Sequence, residues 1–170
     1  MMRLTLAKSF SIWIRRSIPI ALVAMLAALS VVSIKIPGYA SIAADYTSMA
    51  VFYWTVFCPD LQPISLLFII GLLQDIICGN PLGLTVVSLL LLHRLTLSQQ
   101  QLLIKKPFLF ICFAFMLIQL LISILSWLIM SLLHFCLILP DPAVYRYLIT
   151  VFGFPIMMRF LFYVRCYVIE

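Results

Sequence analysis

Long uncharged segments are the feature of this sequence that most restricts how the chain can fold. The longest runs from Pro107 to Pro140, 34 residues that would extend about 51 Å as a helix. Another 18 uncharged residues run from Ser17 to Ile34, enough to cross about 30 Å of hydrocarbon. With 66% hydrophobic and 9% charged residues, too few charges remain to cover a water-soluble surface. A soluble enzyme, a disordered tail and a secreted disulfide scaffold are therefore excluded.

We predict a single all-α transmembrane domain over residues 1–170, with six helices and both termini in the cytoplasm. The spans are placed at about 17–34, 42–58, 64–78, 81–97, 107–130 and 144–164. The first span follows basic residues, as a signal peptide does, but its apolar stretch exceeds the roughly 7–15 residues of such a peptide. We therefore expect a retained anchor in a multi-pass protein. Asp141 and Pro142 mark the start of the last helix, in which Gly153 and Pro155 predict a kink.

Turn residues and aromatic residues set the detailed boundaries. A second helix that begins near Ala40 would carry Asp45 close to its outer end and bring aromatic rings to the inner interface, where they prefer to sit. Those rings belong to Phe52, Tyr53, Trp54 and Phe57. Pro81 suits the first position of the fourth helix. We expect a loop over residues 98–106 and an extension or outer loop over 131–140.

The distribution of basic residues supports this topology. The inner segments would hold nine of them: Arg3, Lys8, Arg15, Arg16, Arg94, Lys105, Lys106, Arg159 and Arg165. The outer segments would hold only two, Lys35 and Arg146, as the positive-inside rule requires. Without the short second span, Arg94 and the lysine pair would lie outside, so six spans are preferred. The net charge of +6 then reflects cytoplasmic loops rather than nucleic-acid binding.

The third span carries small and polar residues on one helical face. Gly71, Gln74, Asp75 and Cys78 follow the spacing i, i+3, i+4 and i+7. Glycine allows another backbone to approach closely, and the Gln74 and Asp75 side chains need hydrogen-bond partners. We favour Asp75 as a cap that binds amides of the 79–83 turn or of the next helix. A partner contact or a proton-handling role stays open, because acids within spans are functional candidates.

A seven-residue pattern marks a packing seam on the fifth span. Its members are Cys112, Met116, Gln119, Ser123, Ser126 and Met130. We expect Gln119 to hydrogen-bond to a neighbouring helix, with a ligand contact as the alternative. Ala24 and Ala28 form a weak small-residue docking signal on the first span.

No sequence pattern indicates catalysis, a metal or a cofactor. Walker, dinucleotide-binding, zinc-protease and serine-hydrolase motifs are all missing from the sequence. The five cysteines are scattered singly, and His93 and His134 have no ligand-type residue at metal-binding spacing, so we interpret both histidines as interfacial. The expectation is a non-enzymatic protein whose membrane spans carry the function.

The strongest resemblance to a known family lies in residues 53–90. In order, the motifs are Tyr53-Trp54, Pro59, Gly71-Leu72-Leu73-Gln74-Asp75 and Gly79-Asn80-Pro81-Leu82-Gly83-Leu84. This series resembles the core signature of MreD, the bacterial rod shape-determining membrane protein family. Its members show an aromatic-rich second span, a proline turn, G-L-L-x-D, and G-x-x-L-G before the next helix. The length, the basic N-terminus and the last hydrophobic span fit as well.

The resemblance implies a scaffold of the cell-elongation machinery in the bacterial inner membrane. Such a protein binds MreC most directly, is linked to MreB, RodA and penicillin-binding protein 2 in peptidoglycan synthesis, and otherwise contacts membrane lipid. The candidate residues for shaping the partner surface are Gly71, Gln74, Asp75, Gly79, Pro81, Gly83 and Gln119. No cofactor is implied.

Two alternatives remain at this point. MreD-like proteins are distantly similar to the S subunits of energy-coupling-factor transporters, which implies an S-subunit-like fold. A vitamin-binding S subunit would need a cavity with convergent polar groups such as Gln74, Asp75 and Gln119. An intramembrane enzyme would have Asp75 as its only credible acid.

Overall fold

The computed structural model describes residues 21–30, 45–59, 62–134 and 141–169, which form six helices. These are α1 (Ala21–Ser30), α2 (Tyr46–Phe57), α3 (Ile64–Cys78), α4 (Leu84–Leu103), α5 (Phe108–His134) and α6 (Asp141–Ile169). Within these ranges the predicted all-helical fold is confirmed, and α3 has the predicted bounds. Among the described residues, two segments are long and apolar enough to cross a membrane, Phe108–Leu132 and Ala143–Cys166.

The short helix α2 lies at the centre of the bundle, packed against α4 and α6. Every residue from Thr47 to Val56 is buried. The Phe52 ring lies 5.1 Å from the ring of Phe115 on α5 and 5.6 Å from that of Phe154 on α6. The rings of Phe115 and Phe154 stack with their centroids 4.0 Å apart. An aromatic core therefore joins three helices.

The burial of α2 corrects the prediction for its aromatic residues. Phe52, Tyr53 and Trp54 are fully buried inside the protein, where the sequence suggested contact with the membrane interface. The physical reason is that other helices cover α2 over its whole length from Thr47 to Val56. Its 12 residues extend about 18 Å.

Large apolar side chains cover the outside of the bundle. Leu109 on α5 is 78% exposed, and Phe152 and Ile156 on α6 are each 75% exposed. Contiguous exposed apolar surface of this kind is unfavourable in water and suits contact with lipid or with another protein.

Several helix boundaries differ from the predictions. Helix α2 begins at Tyr46 with Asp45 as its N-cap, so Asp45 is not inside a longer helix. Pro81 lies in the turn before α4, whose N-cap is Gly83. The expected loop over 98–106 is mostly helix, because α4 continues to Leu103. Its last turns are held by the Gln100 amide, which donates to the Val56 carbonyl at 3.2 Å, and by the buried Leu103.

The last two helices follow the expected order. Helix α5 continues to His134, beyond the predicted end of the span, and residues 135–140 lie outside the described residues. Helix α6 begins at Asp141, as the sequence indicated, and contains Pro155.

Candidate functional site

The candidate residues of the third span lie where α3 and α4 pack against each other. A Cβ atom added to Gly71 would lie 2.9 Å from the Cα atom of Val86 on α4. Real Cβ atoms are not found so close to a backbone atom, so the glycine allows the two helices to approach. Gly71 is therefore buried in a contact within the chain.

The carboxylate of Asp75 caps the start of α4 from the neighbouring helix. Its Oδ2 atom accepts a hydrogen bond from the Gly83 amide at 2.9 Å, and its Oδ1 atom accepts one from the Thr85 amide at 3.1 Å. The first amides of a helix have no partner within the helix, and they favour negative charge. A fully buried carboxylate thus finds the partners that its burial requires.

The main-chain carbonyl of the same residue ends α3. It accepts hydrogen bonds from the amides of Gly79 and Asn80, the latter at 3.1 Å. Gly79 has φ 69°, the left-handed conformation common after the last helical turn. Asp75 therefore closes α3 with its backbone and opens α4 with its side chain, which fixes the geometry of the α3–α4 hairpin (residues 64–103).

The turn of this hairpin is the more accessible part of the candidate site. Gly79 is exposed, and Pro81 and Gly83 are partly exposed. Leu82 projects from the turn with 71% of its surface exposed. A Cβ atom added at Gly79 or Gly83 would meet no atom within 4 Å, so their positive φ angles, rather than close contacts, explain the glycines.

The two candidate glutamines are buried in different parts of the bundle. The Gln74 Nε2 atom donates to Ser30 Oγ on α1 at 3.3 Å, which ties α1 to α3. Gln119 is buried on α5, and its Oε1 atom has no hydrogen-bond partner among the described residues. The predicted seam on α5 does include one polar contact with α4, since Ser126 Oγ lies 3.2 Å from Ser88 Oγ.

An ionic contact that the sequence analysis missed joins α2 to α6. Asp45 Oδ2 lies 3.5 Å from a guanidinium nitrogen of Arg146, and the Asp45 amide donates to Thr150 Oγ1 at 3.1 Å. The Asp45 carboxylate also accepts from the backbone amide and hydroxyl of Ser48. The sequence did carry one signal for this pair, because the predicted topology places both Asp45 and Arg146, which have opposite charges, on the outer side.

A buried polar cluster at the other end of α2 was also missed. Thr55 Oγ1 donates to Gln62 Oε1 at 2.9 Å and lies 3.0 Å from His93 Nδ1 on α4. His93 is 3% exposed, so its prediction as an interfacial residue is wrong. The Thr55 hydroxyl gives the imidazole a polar partner, which makes its burial tolerable. The described residues contain no group of three possible metal ligands.

Comparison with known proteins supports the family resemblance. A family model described as rod shape-determining protein MreD matches residues 11–166, nearly the whole chain. No curated protein and no solved structure matches the chain. The transporter alternative finds no support in these comparisons, and the described centre of the bundle is filled by Phe52, Phe115 and Phe154.

Proposed function

This chain belongs to the MreD family of rod shape-determining proteins, and from that premise we propose that it is a non-enzymatic scaffold of the bacterial cell-elongation machinery. Family membership implies a role in rod-shape determination, and the match over residues 11–166 is the observation that carries the proposal. The exposed apolar helices are consistent with a membrane protein.

We propose a multi-pass arrangement in the inner membrane, with six crossings and both termini in the cytoplasm. The nine-to-two distribution of basic residues supports this topology. Other helices enclose α2, so a helix of only 12 residues can serve as one of the six proposed crossings. In this arrangement the Asp45–Arg146 pair lies at the outer end, and the Thr55–His93 cluster lies toward the cytoplasm. The expected fold resembles that of energy-coupling-factor S subunits.

The proposed direct partner is MreC, with MreB, RodA and penicillin-binding protein 2 linked through the larger complex. Association would depend on lateral packing of helices, in which van der Waals contact and a few hydrogen bonds replace the hydrophobic effect. The exposed apolar rows on the described helices suit this mode of binding.

We further propose that the α3–α4 hairpin contacts the partner through its outward side. Gly71, Gln74 and Asp75 contact α1 and α4, which supports an indirect role in which they hold the hairpin in shape. The surface available to a partner is formed by Ile69, Leu73 and Ile76 on α3, together with Leu82 on the turn, all more than half exposed. A turn fixed before binding loses less conformational entropy when a partner docks.

Affinity purification of the intact protein from native membranes tests the scaffold function. We expect MreC to co-purify and depleted cells to become round. A preparation without MreC, from cells that stay rod-shaped on depletion, would reject the scaffold.

A pair of matched variants tests the hairpin surface separately. Leu82 and Leu132 are 71% and 69% exposed, and in the proposed topology both lie toward the outer side. Leu82→Gln should reduce MreC recovery, whereas Leu132→Gln on α5 should not. Equal recovery with both variants would reject the hairpin surface and leave the scaffold function intact.

A further inference from the structure

Helix α6 carries an arginine within its exposed apolar row. Phe152, Ile156, Arg159 and Tyr163 follow helical spacing, and all four side chains are exposed. A charged group on a surface that otherwise suits lipid is unfavourable unless the group reaches a polar region or a counter-charge. The long arginine side chain can extend toward the end of the helix for this purpose.

Two more cations lie in the turn between α4 and α5. Lys105 and Lys106 are exposed, and exposed Ile104 and Leu109 lie on either side of them. The Nζ atom of Lys106 lies 5.5 Å from the centroid of the Phe110 ring. Because Leu103, just before the turn, is buried in the core, the two lysines are attached to a fixed part of the bundle.

The packing of α5 against α6 brings the three cations to the same end of the bundle. The helices run antiparallel, with Phe115 stacked on Phe154 and the Tyr147 hydroxyl donating to the Met116 carbonyl at 3.2 Å. Arg159 lies five residues beyond Phe154, and Phe110 lies five residues before Phe115. At about 1.5 Å per residue, Arg159 and Phe110 are at a similar height, close to the lysines.

These cations have no acidic partner among the described residues. The ion pair found among the described residues joins Asp45 to Arg146, at the end of the bundle opposite to the three cations. An arrangement of basic groups above exposed apolar side chains matches the two parts of an anionic lipid, a phosphate headgroup and acyl chains. A guanidinium group can also bind phosphate oxygens with two parallel hydrogen bonds.

We propose that Lys105, Lys106 and Arg159 form a binding surface for anionic phospholipid headgroups, such as phosphatidylglycerol, in the leaflet at this end of the bundle. The acyl chains lie along the apolar rows of α5 and α6. Tyr163, one turn beyond Arg159, lies at the headgroup level that tyrosine favours in membranes. This surface is separate from the proposed scaffold surface on the α3–α4 hairpin, and its binding of lipid does not depend on MreC.

Native mass spectrometry of the intact protein, with equal amounts of phosphatidylglycerol and phosphatidylcholine, tests the proposal. The wild-type protein should retain phosphatidylglycerol preferentially. Each of the substitutions K105Q, K106Q and R159Q, added one after another, should lower the ratio of retained phosphatidylglycerol to retained phosphatidylcholine about fivefold. R146Q removes one positive charge at the opposite end and should leave the ratio unchanged. An unchanged ratio in the triple variant would overturn the proposal.

Two measurements on the wild-type protein keep the test decisive if the triple variant does not fold. Retention of phosphatidylglycerol should fall as the salt concentration rises during lipid loading, because exposed charges are screened. It should persist in millimolar inorganic phosphate, which lacks acyl chains. Equal retention of the two lipids, or complete displacement by inorganic phosphate, would contradict a phospholipid surface.

Discussion

Asp75 on α3 and Gly83 at the start of α4 are joined by a hydrogen bond of 2.9 Å from the glycine amide to Oδ2. The Thr85 amide donates to the other oxygen, Oδ1, at 3.1 Å and also lies 3.3 Å from Oδ2, so the carboxylate binds two amides at the start of the next helix. This contact links a buried charge to the geometry of a surface turn. Any effect of Asp75 on a partner should therefore be accompanied by an effect on the stability of the hairpin.

The first prediction concerns removal of the Asp75 charge. An asparagine at this position keeps one acceptor oxygen but presents an N–H group to the second amide. We expect Asp75→Asn to lower the free energy of unfolding by about 1.5–3 kcal/mol, the range for losing a hydrogen bond to a charged group. Asp75→Ala should cost more, because it leaves both amides without this acceptor. Chemical unfolding in detergent measures the two changes.

The same variants separate a structural role of Asp75 from a role in binding. If the carboxylate serves the hairpin, MreC recovery should fall in parallel with stability from wild type to Asn to Ala. An Asn variant as stable as the wild type but unable to recover MreC would show instead that the charge contacts the partner.

The second prediction compares two glycines in helices. At Gly71 a new Cβ would meet the Val86 backbone at 2.9 Å, whereas at Gly153 it would meet the flexible end of Met49 at 3.3 Å. Gly71→Ala should destabilise the protein by about 1–3 kcal/mol, because α3 and α4 must separate. Gly153→Ala should be near neutral, since a small shift of Met49 is offset by the better helix propensity of alanine. Similar unfolding free energies for both variants would contradict the close packing at Gly71.

The sequence alone predicted those features of the fold that depend on residues close together in the chain. The bounds of α3 follow from Pro63 before it and Gly79 after it, and the structure has the predicted bounds. The spacing of Gly71, Gln74 and Asp75 also indicated a face that packs against protein, and their contacts are with α1 and α4. Helix periodicity identifies a buried face without identifying which helix covers it.

The errors came from contacts between different helices. Pro81 has the local properties of a first helical residue, but the carboxylate of Asp75 and the left-handed Gly83 delay the start of α4. His93 next to a charged residue looks interfacial, but the Thr55 hydroxyl across the bundle makes its burial possible. The central position of α2 depends on the packing of several helices at once.

The third prediction concerns the hydroxyl of Thr55. Thr55 and Thr96 are both fully buried, and each hydroxyl lies 2.7 Å from a carbonyl oxygen of its own helix, that of Val51 or Leu92. Among the described residues, Thr55 contacts Gln62 and His93 as well, whereas Thr96 has no further side-chain partner. Thr55→Val should lower the free energy of unfolding by about 1–3 kcal/mol, because it leaves buried polar groups without a partner. Thr96→Val should have a clearly smaller effect.

A double variant checks whether the Thr55 effect comes from the cluster. Combined with His93→Leu, Thr55→Val should cost less than the sum of the two single changes, since the two residues share one contact. Strictly additive losses in chemical unfolding would show that the threonine and histidine act independently.

The fourth prediction concerns the two functions of Asp45. Its carboxylate pairs with Arg146 and also caps α2 through the Ser48 amide. The Arg146 side chain is 47% exposed, so solvent screening should limit the cost of Arg146→Gln to about 1 kcal/mol or less. Asp45→Ala should cost about 1–2 kcal/mol, because it also removes an N-cap.

Added salt separates the ion pair from the cap. It should reduce the loss caused by Arg146→Gln and leave most of the loss caused by Asp45→Ala, because the capping hydrogen bonds are less sensitive to screening. Equal losses at low salt that both disappear at high salt would show that the ion pair, rather than the cap, dominates at the start of α2.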